Sequence, residues 1–170
     1  GVSATTMLVL GPRGKVTGKV VQADGVTPVA NAQVTILRHQ PYENVALVTT
    51  DAAGAFSVDE VNAGVFSLYA IDVPTGDRAR GISKIENEGD SPTVTLQMNG
   101  QGTVTVQVVD ANNAPVPNAS VWITSMTAFS QSRAATADAS GRFSFPRLPA
   151  GDFIVVTRDE AKDMSSAILL

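Results

Sequence analysis

The 170-residue chain has no cysteine, which removes disulfides, thiolate metal sites and cysteine nucleophiles together. That absence does not fix a compartment. Charge is also scarce: 16% of residues are charged, and twelve Lys and Arg against sixteen Asp and Glu give a formal net charge of -4. The balance is too acidic and too evenly spread for a surface that tracks phosphates, so nucleic acid is not an expected partner. The longest apolar runs, such as Met7 to Leu10 and Ala167 to Leu170, fall far short of the roughly 20 residues that span a bilayer. No membrane-spanning segment is expected. The single histidine, His39, lies in Arg38-His39-Gln40-Pro41-Tyr42-Glu43-Asn44, which its proline and polar residues mark as a loop. With no partner cluster it reads as a surface residue rather than a ligand or base. Acidic residues gather at Asp59-Glu60, Glu86 to Asp90 and Asp159 to Asp163, but none has the spacing of a dedicated calcium loop, and each reads as solvated charge. The sequence thus points to no catalytic, cofactor-binding or metal-binding residues and to a protein that is not an enzyme. Gly1 stands where a Met would begin a nascent chain, without a basic, apolar leader. That start suits a mature secreted protein or a piece of a longer one.

What the chain does have is a copy of itself. Pro28, Asn31, Ala32 and Val34 recur as Pro115, Asn118, Ala119 and Val121; Asp51, Gly54 and Phe56 recur as Asp138, Gly141 and Phe143; Gly64, Phe66 and Asp72 recur as Gly151, Phe153 and Asp159. Each pair is 87 residues apart (115 − 28, 138 − 51, 151 − 64). Upstream, Val16, Thr17, Val20 and Val21 match Val104, Thr105, Val108 and Val109 at an offset of 88, so one residue is gained or lost in a turn between.

Each copy reads as short alternating strands separated by turn residues, the pattern of a β-sandwich. In the first, strands are expected at 15–21, 32–37, 45–50, 55–58, 65–71 and 93–98. Gly54 and Gly141 are expected to supply a positive φ, with Asp51 and Asp138 capping the same turns through their side chains. These four are structural turn residues.

At these positions the sequence resembles the carboxypeptidase regulatory-like, or transthyretin-like, module, a cousin of the B-type repeats of bacterial collagen adhesins. The motifs are Gly18 to Val20, Pro28 to Val34, Thr50 to Phe56 and Gly64 to Leu68, with second copies at Val106 to Val108, Pro115 to Val121, Ala137 to Phe143 and Gly151 to Val155. The resemblance implies an all-β chain of two tandem immunoglobulin-like (transthyretin-like or prealbumin-like) β-sandwiches, and says less about function. Some B-type repeats carry a Lys-Asn cross-link assisted by a Glu; here Ala70 and Thr157 stand at that position, so Lys15 and Lys19 are expected to form no isopeptide bond.

The two copies differ at their ends. The first closes with the strand at 93–98, whereas the second reaches only Leu170, the counterpart of Ser83. Residues before the first copy match its last strand at offset 88: Thr5, Leu8, Leu10 and Gly14 align with Thr93, Leu96, Met98 and Gly102. The organisation expected is an N-terminal strand in 1–12 that completes another domain or subunit, a sandwich over 13–99, and a sandwich over 100–170 lacking its last strand. An incomplete sandwich invites a donated strand. The leading expectation is a subunit of an extracellular, pilus-like filament, joined head to tail through Thr5, Thr6, Met7, Leu8, Val9 and Leu10, with other copies of itself as partner and no cofactor. Ile168, Leu169 and Leu170 are expected at the acceptor. Trp122, which alternation places opposite Val121 and Ile123, is expected at an interface or, less readily, on a cell-surface or matrix glycan. The alternatives are an adhesive or spacer module of a larger surface protein, or a non-catalytic accessory domain of a secreted enzyme.

Overall fold

Strict alternation sets the inner faces. Along β1 (Arg13–Val21) Val16, Gly18 and Val20 turn inward, and along β2 (Gln33–His39) Val34 and Ile36 do the same while Gln33 and Thr35 face away. A computed structural model describes residues 3–7, 10–159 and 164–170. Leu8, Val9 and Asp163 lie outside them. Among the described residues there is no helix, and the chain divides into two compact units between Met98 and Asn99.

The first unit continues with β3 (Tyr42–Thr49), β4 (Ala55–Asn62), β5 (Gly64–Asp72), β6 (Asp77–Ile85) and β7 (Thr93–Gln97). Two sheets result, ordered β4-β1-β7 and β3-β2-β5-β6, and their inner faces meet in a core of Val16, Val20, Val34, Ile36, Phe66, Leu68, Leu96 and Met98 among others. The second unit holds β8 (Gln101–Gln107), β9 (Ser120–Ser125), β10 (Ser132–Thr136), β11 (Arg142–Pro149), β12 (Phe153–Asp159) and β13 (Met164–Leu169). Its sheets are β11-β8 and β10-β9-β12-β13, closed over Val121, Ile123, Phe145, Leu148, Phe153 and Val155.

The repeat is visible in the backbone itself. Gly18 pairs with Phe56 and Lys19 with Ala55 in one unit, as Val106 pairs with Phe143 and Gln107 with Arg142 in the other. Glu60 and Arg147, 87 apart, both take a positive φ where the registers of β4 and β11 shift. The Asp-x-x-Gly turns are equally alike. Asp51 Oδ1 accepts from the N–H groups of Ala53 and Ala55, and Asp138 Oδ1 from those of Ser140 and Arg142. Gly54 and Gly141 have φ of 71° and 72°, and a Cβ on either would lie 2.5 Å from a carbonyl oxygen, of Val20 or Val108. Only glycine fits there.

Two elements differ from the sequence reading. The loop expected around His39 is a tight hairpin instead: β2 runs through His39 and β3 begins at Tyr42, because the extended pairing of His39 with Tyr42 and Arg38 with Glu43 persists up to the turn. Strand β6 was not anticipated in the segment Asp77–Ile85, whose inward residues include the small Ala79 and Gly81 and so present little hydrophobic alternation.

Candidate functional site

The most distinctive feature is a missing neighbour. In the first unit β7 lies parallel to β1, pairing Thr17 with Thr93 and Val20 with Leu96. The Thr17 N–H donates to Pro92 O at 3.1 Å, and the Met98 N–H donates to Val21 O at 2.8 Å. This strand drives Leu96 and Met98 into the core, where they are 0% and 2% exposed. In the second unit β8 has β11 on one side, and no strand lies on the other among the described residues.

The consequences fall on the residues that β7 would cover. Val16 and Val20 are wholly buried in the first unit, but their counterparts Val104 and Val108 are only partly buried. Val21 is 7% exposed; Val109, its counterpart, is 43%. A pocket of about 80 Å³ opens here, lined by Val108, Val109, Val116, Thr157 and Ser166 with acidic Asp110 and Asp159 at its margin. Since Met98 is bonded to Val21 in the first unit, this pocket sits where the side chain of that position would enter.

Across the gap from β8 runs β13, antiparallel to β12, with Val155 opposite Ile168. The chain is held to its end, since Phe153 and Leu170 exchange two backbone hydrogen bonds of 3.0 and 2.9 Å. Ile168, Leu169 and Leu170 are nonetheless 58%, 68% and 53% exposed. The structure therefore brings together an unpaired strand edge, a small apolar pocket and an uncovered aliphatic run. The sequence reading named the last of these and passed over Val106, Val108 and Val109; the offset that aligns Val108 with Val20 was the signal that they lose their cover.

Residues 3–7 and 10 are exposed and carry no regular secondary structure in the single chain, so Thr5, Thr6, Met7 and Leu10 are solvated. Trp122 is 41% exposed on the outer face of β9, beside Ala134 of β10 and Val156 of β12. His39 Nε2 lies 2.9 Å from Ser67 Oγ on the neighbouring β5. Lys15 meets Asp59 at 3.1 Å on the surface, while Ala70 is buried. Among the described residues no three acidic, histidine or cysteine side chains come together to hold a metal.

Comparison with known proteins bears on the fold. Residues 103–164 match the carboxypeptidase regulatory-like domain. The matched stretch covers most of the second unit, from β8 to the start of β13. Among solved structures, a minor pilin of Streptococcus agalactiae superposes with a TM-score of 0.55 at 11% identity, over 92% of this chain and 90% of that one. A streptococcal ancillary pilin superposes with a TM-score of 0.52 at 13% identity, over 93% of this chain. The chain spans 58% of that pilin's length. The fold is thus all-β and akin to the β-sandwich domains of Gram-positive pilins. No curated protein matches the chain.

Proposed function

We propose that this chain is a non-catalytic structural subunit of an extracellular filament, in which residues 3–10 of one copy complete the second sandwich of the next. The open edge of β8 carries this reading: its partly covered valines and the adjoining pocket correspond to the places that β7 fills in the first unit. Within the segment that aligns with β7 at offset 88, Thr5, Thr6, Met7 and Leu10 are exposed in the single chain. A heterologous contact of this kind does not close on itself, so it propagates into a fibre. Likeness to pilins in fold accords with a surface polymer.

The first unit favours one other reading, since there the sandwich is completed by the chain that directly follows β6. A spacer or adhesive module would complete its second sandwich in the same manner, from residues beyond Leu170 in a longer surface protein. Electron microscopy and light scattering over a range of concentrations separate the two, comparing the intact chain with one lacking residues 1–11. Filaments that require those residues support strand donation; monomers in both samples, at every concentration, refute it and favour the spacer.

A further inference from the structure

Two of the places where β7 presses on its own unit are glycines. A Cβ on Gly81 would lie 2.6 Å from Leu96 Cδ2 and 3.2 Å from Val94 Cγ1, and one on Gly18 would lie 2.4 Å from Val94 O. In the second unit the corresponding residues are Ile168 and Val106, as the registers Leu68↔Gly81 with Val155↔Ile168 and Gly18↔Phe56 with Val106↔Phe143 establish. The seat beside β8 is therefore narrowed at its upstream half. A strand laid there in the register of β7 would put Leu8 where Leu96 lies, against the side chain of Ile168.

Resting on the strand-donation reading, we propose that the donated strand docks two residues out of the register that the repeat suggests. Ala4 and Thr6 then flank Ile168 in the places of Val94 and Leu96, and Leu8 takes the place of Met98, entering the pocket formed by Val108, Val109, Val116, Thr157 and Ser166. A shift of two keeps the same side chains facing the core, whereas a shift of one turns them all to solvent. A shift of two the other way sets Leu8 and Leu10 on either side of Ile168, the most crowded arrangement. The small residues upstream of Leu8 thus match the narrowed half of the seat, and the leucine matches the open half.

Register is readable by disulfide trapping, because the chain has no cysteine of its own. The first unit shows the geometry to copy: Thr17 and Thr93 are paired and their hydroxyls lie 2.9 Å apart. Thr105 is the counterpart of Thr17, so Thr105→Cys is combined with Ser3→Cys to trap the shifted register, or with Thr5→Cys to trap the copied one. Oxidised full-length chains are run without reductant. The expected result is a ladder of covalent oligomers from Ser3→Cys with Thr105→Cys and none from Thr5→Cys with Thr105→Cys, with the preference reversed when Ile168→Gly is added. A ladder from the Thr5 pair with Ile168 intact overturns the register while leaving strand donation standing. No ladder from either pair overturns the shifted register, and the absence of filaments in the same samples overturns strand donation with it.

Discussion

The contact between Gly81 and Leu96 can be tested inside the first unit, without any assembly. Replacing Leu96 with Ala removes a fully buried side chain from the core, a change that costs about 2–5 kcal/mol in a rigid interior. The middle of that range, about 3–4 kcal/mol, is the loss expected for the single change. Gly81→Ala acts in the opposite sense. Its methyl would meet Leu96 Cδ2 at 2.6 Å, an overpacking that costs about 1–3 kcal/mol, partly offset by the 0.4–1 kcal/mol or so that an alanine gains by restricting the unfolded chain. The net single effect is a loss of about 1–2 kcal/mol. Combined, the two changes relieve each other, because the alanine methyl enters the space the leucine vacates. The double variant should be about 2 kcal/mol more stable than the sum of the singles predicts, within the range seen for residues in contact. In a Trp122→Phe background, urea unfolding followed by tyrosine emission reads the first unit alone, since both tyrosines, Tyr42 and Tyr69, lie in it. Additivity within about 0.5 kcal/mol would refute the steric premise, and with it the reason for expecting Ile168 to displace a docked strand.

Thr50 is 2% exposed and its hydroxyl both accepts from the Ala32 N–H at 2.8 Å and donates to Val29 O at 2.7 Å. Thr50→Val keeps the shape and strands both backbone groups, so unfolding of the first unit should lose about 2–3 kcal/mol; a loss under about 1 kcal/mol would mean that water takes the hydroxyl's place. Asp138 is held below the usual carboxylate range by hydrogen bonds from the Ser140 hydroxyl and from the N–H groups of Arg142 and Ser140. A folded-state pKa below the unfolded one means that its contribution is complete above about pH 4, the ordinary aspartate value, and is lost as the pH falls through the lower folded value. Acid titrations followed by Trp122 emission should therefore show a shallower loss of stability for Asp138→Asn than for the parent, and identical slopes would remove Asp138 from the acid response.

Much of the fold was legible because it is written twice. The constant offset located the turns, and alternation placed Val121 and Ile123 in the core with Trp122 outside it. What the sequence hid was β6. In a sandwich where one strand packs closely over another, the lower strand must offer small residues, and Ala79 and Gly81 carry no apolar signal to be read. The hairpin at His39 was hidden for a different reason, since Pro41 and its polar neighbours look like a loop whether the turn is long or tight. The candidate site was legible only by subtraction, as a strand present in one copy and absent from the other.

The same comparison explains why the edge of β8 stands apart from the other edges. A strand at the border of a sheet offers unpaired backbone to any neighbour, and charge, proline or shortness ordinarily blunts it. In this chain β3 carries Glu43, β4 carries Asp59 and Glu60, β6 carries Arg78, Arg80 and Lys84, β10 carries Arg133, and β11 carries Arg142, Pro146 and Arg147. Strand β7 has no charge and is five residues long. Strand β8, at seven residues, reads Gln-Gly-Thr-Val-Thr-Val-Gln, and β13 reads Met-Ser-Ser-Ala-Ile-Leu, without a charge or a proline between them. Five edges are defended by charge and one by brevity, while the two strands that border the gap are defended by neither. An edge left open in this way, beside a pocket and an aliphatic run, is the feature on which the proposed strand donation rests.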